Sequence, residues 1–462
     1  MSMDSVKAVI GEAVLKQGLR YIERDPEKNL LKLANWASAI ATDPEHKQYL
    51  VGLKECFSDP QNAFRGVFSR VFKQASHNVR EKLLVNFFLN SILLGIPKSK
   101  ALGKKFDINI PWALLMDPTG RCNLTCTGCW AKEYDRSQDM DYDTLDRVIS
   151  EAESVGMHFI LFSGGEPTVR MNDILSLAKK HGDSTFAIFT NGTLISKDVA
   201  RTTEQIGNIF FAISVDGMET ETNERRGKGV FGKVMAAMDN LREVGCLFGF
   251  SVTYHRYNVE SIATDQFIDL LIEKGCVYGW FFTYVPVGGD INLEYMATPE
   301  QRALMYNTMQ RWRATKPVAA VDFWNDGHLS GGCVAGGRGF LHINAAGDVE
   351  PCAFVHYANV NIKNVSLVEA LGSPLFKLYQ RNQPFNRNHL RPCPIIDNPQ
   401  FLEQMVKESG AYPTQRNRLS ASDLCSPLHP YAQSWGEMAD RLLAEREADD
   451  RQRTSKTTPV VE

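Results

Sequence analysis

Three cysteines within ten residues form the group with the clearest chemical potential. The segment 121–130 reads RCNLTCTGCW and places Cys122, Cys126 and Cys129 in a C-x3-C-x2-C spacing. Three thiolates this close in sequence can bind three irons of a cubane cluster and leave the fourth iron open for chemistry. They could also be three ligands of a zinc site, but structural zinc sites usually have four protein ligands in two separated C-x2-C pairs. The spacing therefore favours an iron-sulfur cluster.

Two apolar segments are predicted to position this loop and a second one. Residues 112–120 form a short strand that ends in turn residues directly before the cysteines. Further along the chain, residues 158–162 form another strand, which runs into the sequence SGGEP. Two glycines there allow the backbone to approach a bound ligand, and a glutamate supplies a carboxylate. The residues of interest in this turn are Gly164, Gly165, Glu166 and Pro167.

The order of these two motifs on consecutive strands resembles that of the radical S-adenosylmethionine (radical SAM) enzymes. The resemblance implies a 4Fe-4S cluster on the three cysteines, whose free iron is chelated by the amino and carboxylate groups of SAM, and a GGEP turn that holds the SAM amino group. It also implies a one-electron reductant such as flavodoxin or ferredoxin. By the same resemblance, the reduced cluster is expected to cleave SAM to a 5′-deoxyadenosyl radical, which would abstract hydrogen from a substrate.

Polar groups follow the next two predicted strands. Asn191 lies in TNGT, and Ser214 and Asp216 lie in SVDG. Taken alone, Asn-Gly and Asp-Gly are ordinary turn formers. The later segment ERRGKG resembles the part of peptide-modifying radical SAM enzymes whose arginine contacts the SAM carboxylate, and Arg226 matches that place. Ser214 and Asp216 then become candidates for the SAM ribose and neighbouring polar groups.

One position departs from the family pattern. The family usually carries an aromatic residue immediately before the third cysteine, near the adenine, and this chain has Gly128 there. Trp130 lies on the other side of Cys129. Either Trp130 takes over the stacking role, or the adenine relies on backbone contacts.

Strands and helices alternate from about residue 106 to residue 316, as in parallel βα units. Six units are too few for a complete eight-stranded barrel, so they predict an α/β fold with a partial (β/α)6 TIM barrel, which the resemblance also implies. Ligands of such sheets bind at the carboxyl ends of the strands. Tyr284 and Asp322, near the ends of the last barrel strands, are candidates for substrate-facing groups. The predicted strands are 112–117, 158–162, 185–190, 209–215, 248–254 and 278–285.

A second cysteine set follows the barrel. Cys333, Gly347 and Cys352 are spaced as at the start of the SPASM and twitch domains, which add auxiliary clusters to radical SAM enzymes. The segment between the two cysteines is predicted to be a hairpin, which brings its flanks together. Cys393 and Cys425 complete four ligands, enough for one auxiliary 4Fe-4S cluster. Alternatively, these last two are packing thiols, and the auxiliary cluster keeps an open iron.

The segment 83–97, LLVNFFLNSILLGIP, is the most apolar part of a helical region at the start of the chain. It is too short to span a bilayer, and Asn86 and Asn90 interrupt it. Either it is a core helix that docks this region on the barrel, or it faces a membrane surface or lipid. The predicted parts are a helical domain 1–104, the barrel 105–316, an auxiliary-cluster domain 317–448 of a β-hairpin plus helices, and a disordered tail 449–462.

Composition restricts the function further. With 462 residues, a net charge of −3 and ten cysteines, the chain is not expected to hold nucleic acid on a basic face. We expect a reducing cytoplasm, since no signal sequence precedes the cysteines. A SPASM-like hairpin favours peptide crosslinking, whereas the apolar segment favours a lipid or acyl substrate. Because the helical region is uncommon, we slightly favour the nonpeptide substrate. The alternative functions are those of an iron-sulfur electron carrier or a zinc-scaffolded binding module, although neither needs the GGEP turn or the arginine segment.

Overall fold

The computed structural model describes most of the chain. It covers residues 62–289 and 291–457, preceded by residues 17–26, 28–29, 31–32, 35 and 57–59, with side chains described as far as residue 448. Residues 17–24 are helical, in agreement with the start of the predicted helical region. Residues 36–56 of the predicted helical domain lie outside the described residues, as does the end of the tail.

A nine-stranded sheet forms the centre of the structure, in the order β7-β6-β5-β4-β3-β2-β1-β8-β9. Every neighbouring pair from β7 to β8 is parallel, and only β8 and β9 are antiparallel. The strands are β1 (Ala113–Met116), β2 (Phe159–Phe162), β3 (Thr185–Thr190), β4 (Ile209–Ser214), β5 (Phe248–Tyr254), β6 (Tyr278–Thr283), β7 (Ala319–Asp322), β8 (Phe340–Ile343) and β9 (Val349–Glu350). All six predicted barrel strands are present, and the α/β fold class is confirmed.

The predicted hairpin lies in the same sheet as the barrel strands. Its first strand, β8, pairs in parallel with β1, with Ala113 opposite Phe340. The barrel therefore has two more parallel strands, β7 and β8, than the six that the sequence predicts. Strands β7 and β9 are the two edges, so the sheet stays open. The predicted domain boundaries remain predictions.

Helices cover the outer face of this sheet. Those that follow β1 to β6 are Tyr142–Ser154, Met171–Lys180, Lys197–Ile206, Val230–Val244, Asp265–Lys274 and Pro299–Thr315, with shorter helices at Pro167–Arg170, Glu219–Arg226, Val259–Ile262 and Leu293–Tyr295. Side chains cap the N-termini of these helices. The side chain of Asp141 accepts a hydrogen bond from the N–H of Thr144, and Thr298 forms a capping box with Gln301. Against these helices, outward-facing phenylalanines such as Phe162, Phe186 and Phe281 are fully buried.

The amino-terminal helices close the end of the barrel where the strands begin. They are Ala63–Gln74, His77–Lys82, Leu83–Gly95 and Ile96–Phe106, of which Leu83–Gly95 is a π-helix. The Asn86 amide donates to the carbonyls of Gly182 and Ser184 at 2.8 and 2.9 Å. The apolar segment thus docks on the barrel, yet Phe88, Leu93 and Leu94 are exposed on its other side. Within the described residues, no helix is both long and apolar enough to cross a membrane.

The region after the barrel packs on it through a buried ion pair. Its helices are Gly327–Ser330, Leu367–Leu371, Pro374–Asn382, Pro399–Ser409, Ala421–Cys425, Ser426–Leu428 and His429–Thr457, and Tyr357–Ala358 pairs with Tyr412–Pro413 in a small separate sheet. Arg302 donates to Asp397 at 2.7 Å with both side chains fully buried, and its guanidinium lies 3.9 Å from the Trp435 ring centroid. Asp397 also accepts from the N–H of Cys393, so this pair positions a predicted ligand. The last helix extends into the segment predicted to be a disordered tail.

Candidate active site

The cysteine loop and the GGEP turn are in direct backbone contact. The N–H of Glu166 donates to the carbonyl of Arg121 at 2.7 Å, and that of Gly165 donates to Thr119 at 3.0 Å. A Cβ on Gly165 would lie 2.1 Å from the Arg121 oxygen, and Gly164 has a φ of +106°. Only glycines allow this approach, because a side chain would push the two loops apart.

Glu166 is buried at the centre of this contact. One of its carboxylate oxygens accepts from the Thr190 hydroxyl and the other from the N–H of Asn191, each at 2.7 Å. Burial raises its pKa. The Asn191 amide donates in turn to Asn123, inside the cysteine loop, at 2.8 Å. Neither Asn123 nor Thr190 was predicted to be a site residue. The Asn-Gly turn after β3 could have indicated Thr190, which directly precedes it.

Asp216 holds two arginines beside the cysteines. One of its oxygens accepts from Arg225 at 2.7 Å and from Arg226 at 2.6 Å, while the other accepts from the N–H of Thr253 at 2.9 Å. The arginines lower the pKa of this carboxyl strongly, in opposition to its burial. The carboxylate is thus engaged in positioning the arginines, whereas Ser214 is half-buried at the end of β4.

The same arginines reach the cysteine loop. The carbonyl of Arg225 accepts from the N–H of Thr127 at 2.9 Å. Burial raises the pKa of Cys129, and the positive charges of Arg225 and Arg226 oppose that rise. The sequence marked Arg226 but missed Arg225, which lies in the same unpredicted helix, Glu219–Arg226.

Two tyrosines occupy the space beside Gly128. A Cβ on this glycine would lie 2.8 Å from the Tyr284 ring and 3.3 Å from the Tyr295 ring. The two rings meet edge to face at 4.9 Å between centroids. Tyr284 therefore lies against the cysteine loop. Trp130 instead contacts Phe354 and His356, on the side of the hairpin, and takes no part in this arrangement.

Asp322 does not face the barrel interior, so its selection as a substrate-facing candidate was wrong. Burial in β7 alternates so that Val321 is exposed and Asp322 is buried on the helix side. There it accepts from the Tyr254 hydroxyl at 3.3 Å and from the Asn325 amide at 2.8 Å. Burial and the nearby Asp326 raise its pKa to about 7.

The second set of cysteines gathers around Tyr379. Cys333, Cys352 and Cys393 lie close together, so that a negative charge on one thiol disfavours ionisation of its neighbours. Burial raises the pKa of Cys333 to about 11 and that of Cys393 to about 12. Cys425 is buried near Tyr379 but interacts more with Glu403. Such buried thiols need positive charge to ionise, and the irons of a cluster supply it. In the part of the chain described, no three His, Cys, Asp or Glu side chains surround a single metal ion.

A buried triad joins β8 and β9 to the end of β1. His342 contacts Asp117 at 3.0 Å and Glu350 at 2.7 Å, all three on neighbouring strands or their ends. Burial favours the neutral ring, but the carboxylates outweigh it and raise the pKa of His342 to about 10. The Ser163 hydroxyl before GGEP donates to Asp117 at 2.7 Å. This triad was not predicted, because Asp117 is far in the chain from His342 and Glu350.

Comparisons with known proteins agree with this geometry. Residues 116–268 match the model of the radical SAM superfamily. The chain carries a radical SAM domain. Members of this superfamily use a 4Fe-4S cluster and SAM, and the donor set of three thiols, a buried carboxylate and two arginines fits both. The prediction of a radical SAM enzyme is confirmed at the level of this domain.

Relatives of the radical SAM domain differ in what they make. The chain is 31% identical over 204 residues to Fe-coproporphyrin III synthase of Methanosarcina barkeri, covering 42% of this chain and 50% of that one. It is 28% identical over 265 residues to mycofactocin maturase MftC of Mycolicibacterium smegmatis, covering 54% and 65%. The matches thus span half to two thirds of these relatives. Among solved structures, anSMEcpe with bound AdoMet has a TM-score of 0.52 at 17% identity, over 72% of this chain and 99% of that one, which shows a shared fold.

The contact between Gly165 and Arg121 predicts a loss of cofactor in Gly165→Ala. The added methyl group displaces the cysteine loop, so we expect less iron and sulfide per chain after anaerobic reconstitution, with correctly folded protein by circular dichroism. Gly232→Ala is the matched control, because a Cβ there meets nothing within 4 Å. Equal iron in the two variants would contradict the prediction.

Proposed function

We propose that the chain cleaves SAM reductively at a 4Fe-4S cluster bound by Cys122, Cys126 and Cys129 and abstracts hydrogen from an organic substrate. The observation that carries the proposal is the convergence of Glu166 and an arginine pair on the cysteine loop. When bound, the cluster and SAM supply the 5′-deoxyadenosyl radical. The residues around them bind and orient SAM and keep water away from the radical.

Each SAM-facing residue has a role in this proposal. Glu166 accepts from the SAM amino group, beside Gly164, Gly165 and Pro167. The Nε of Arg226 donates to Asp216, and the terminal nitrogens of the guanidinium would hold the SAM carboxylate. Ser214, at the end of β4, and the Asn191 amide, directly after β3, are assigned to the ribose. Tyr284, against Gly128, is assigned to the adenine side of the site or to the substrate.

Cys333, Cys352, Cys393 and Cys425 are proposed to hold an auxiliary 4Fe-4S cluster. The first three interact with one another, which supports them as ligands. Either Cys425 is the fourth ligand, or it is not a ligand and one iron is open for substrate. A cluster on these thiols would supply an electron acceptor for the product radical or a binding point for the substrate. We further propose that a low-potential protein such as flavodoxin or ferredoxin donates the electron, and that the reaction takes place in the cytoplasm.

Two cysteine variants separate the two clusters. With SAM and dithionite under anaerobic conditions, the reconstituted chain is expected to form 5′-deoxyadenosine and methionine in equal amounts. Cys126→Ala abolishes this, whereas Cys352→Ala loses iron but retains SAM cleavage, because only the first set touches the GGEP turn. Zinc in place of iron, or iron without 5′-deoxyadenosine, would overturn the proposal in favour of a binding module or an electron carrier.

Removal of the proposed SAM-carboxylate contact weakens SAM binding. A charge-assisted hydrogen bond contributes about 1.5–3 kcal/mol, so Arg226→Gln should raise the Kd of SAM roughly 10- to 100-fold. Equilibrium dialysis with the reconstituted protein measures this change. Arg201→Gln is the control, since Arg201 is exposed on an outer helix. A SAM Kd that is the same in both variants would remove Arg226 from the site.

For the substrate, we propose a nonpeptide molecule with an acyl or other lipid chain. The exposed Phe88, Leu93 and Leu94 of the π-helix support contact with a membrane surface. The following helix is rich in exposed lysines, namely Lys98, Lys100, Lys104 and Lys105. The second candidate is peptide crosslinking, which the SPASM-like hairpin and the similarity to a maturase favour.

Vesicle binding tests the membrane contact. The chain should sediment with vesicles of anionic phosphatidylglycerol more than with phosphatidylcholine alone, because lysines attract anionic headgroups. Substitution of both Leu93→Ser and Leu94→Ser should reduce this severalfold. Leu329→Ser is the control, since Leu329 is 66% exposed elsewhere. Equal sedimentation of all three proteins would refute the contact.

A further inference from the structure

The hydroxyl of Tyr379 has no hydrogen-bond partner among the described residues, although the side chain is fully buried. A hydroxyl that leaves water without gaining a partner costs free energy, so buried polar groups are nearly always paired. Tyr379 lies in the helix Pro374–Asn382 and packs in the same apolar cluster as the second set of cysteines. An unpaired group at this position indicates a ligand that the hydroxyl contacts.

The ring of Tyr379 is fixed against the turn that follows Cys333. A Cβ on Gly336 would lie 2.4 Å from this ring, and Gly336 has a φ of +65°, so a glycine both permits the turn and leaves room for the tyrosine. The N–H of Gly336 donates to the carbonyl of Pro351 at 2.9 Å, directly before the next cysteine of the set. The ring also meets Phe385 edge to face, at 5.3 Å between centroids. These contacts give the hydroxyl a defined position.

The Gln383 side chain ties the same helix to the cysteine loop. Its amide donates to the carbonyls of Cys333 and Ala335 at 3.0 and 2.9 Å. The backbone N–H of Gln383 donates to the carbonyl of Tyr379 at 3.0 Å, so the two residues belong to one turn of the chain. The distance between Tyr379 and the loop is therefore set by hydrogen bonds as well as by packing.

Four thiols lie near enough to Tyr379 to affect its ionisation. Burial raises the pKa of Tyr379, and negative charge on the nearby thiols raises it further. These thiols belong to Cys333, Cys352, Cys393 and Cys425. The hydroxyl thus keeps its proton and is a hydrogen-bond donor.

Backbone N–H groups point at three of these sulfurs. In each case the donor lies two residues after the cysteine. The pairs are Ala335 with Cys333, Phe354 with Cys352, and Ile395 with Cys393. The buried Cys246 of the barrel differs, because its sulfur donates to the carbonyl of Ala200 at 3.5 Å. Sulfurs that accept hydrogen bonds suit the thiolate form, which is the form that binds iron.

We propose that the Tyr379 hydroxyl donates a hydrogen bond to a sulfur of the auxiliary cluster and thereby raises the reduction potential of that cluster. Reduction adds one negative charge, so a nearby donor stabilises the reduced form more than the oxidised form. The inference rests on the auxiliary cluster proposed above. It adds to that site a residue that no cysteine spacing indicates, and a higher potential suits an acceptor of electrons.

The variant Tyr379→Phe tests the proposal, because it removes the hydroxyl and keeps the ring. It is compared with its parent in full chains that also carry Cys122→Ala, Cys126→Ala and Cys129→Ala, so that only the second set binds iron. A redox titration with dithionite, followed by electron paramagnetic resonance, measures the midpoint potential. We expect about a tenfold lower ratio of reduced to oxidised cluster in Tyr379→Phe at a fixed potential, equivalent to about 59 mV for one electron.

The stability of the iron-free chains separates this role from a structural one. Without iron, Tyr379→Phe should unfold at the same temperature as its parent or higher, since the hydroxyl that it removes is unpaired. Tyr278→Phe is the matched control, because the hydroxyl of Tyr278 donates to the carbonyl of Phe211 at 2.8 Å in the barrel. This control should lower the unfolding temperature and leave the potential unchanged.

Two results overturn the proposal alone. One is an unchanged potential in Tyr379→Phe, and the other is a lower unfolding temperature of its iron-free form, which would give the hydroxyl a structural role. Loss of iron from Tyr379→Phe with unchanged iron-free stability supports contact between the hydroxyl and the cluster. If the parent chain holds no 4Fe-4S cluster, the proposed auxiliary cluster is refuted together with this role of Tyr379.

Discussion

The pairing of Asp216 with Arg225 and Arg226 is the interaction on which the site depends. Both guanidinium groups contact one buried carboxylate oxygen, and a buried charge is stable only when it is paired and hydrogen-bonded. Two cations and one anion leave an excess of one positive charge next to the cysteine loop. This excess suits both a thiolate-bound cluster and the carboxylate of SAM. The Arg225 carbonyl, bonded to Thr127, fixes the loop against the same helix.

Much of this arrangement could be predicted from short segments of sequence. Apolar runs gave all six barrel strands, and glycines and polar groups after them marked the turns. Because parallel strands end at one edge of a sheet, Glu166, Asn191 and Arg226 were expected near the cysteines, and the structure brings them there. Local patterns suffice where a motif lies at the end of one strand.

The remainder depends on contacts between distant parts of the chain. Asp322 was assigned to the wrong face, since a strand as short as β7 has no pattern that separates inside from outside. The contact of His342 with Asp117 arises only from the pairing of β8 with β1. Each of these features requires the register of the whole sheet.

The parallel pairing of β8 with β1 also has a consequence for synthesis of the protein. The ribosome completes residues 117–339 after β1 and before β8, and until then one side of β1 has no partner in the nascent chain. Unpaired strand edges of incomplete domains promote association between chains. We therefore expect a dependence on chaperones during translation, and shortened chains that end before β8 should aggregate.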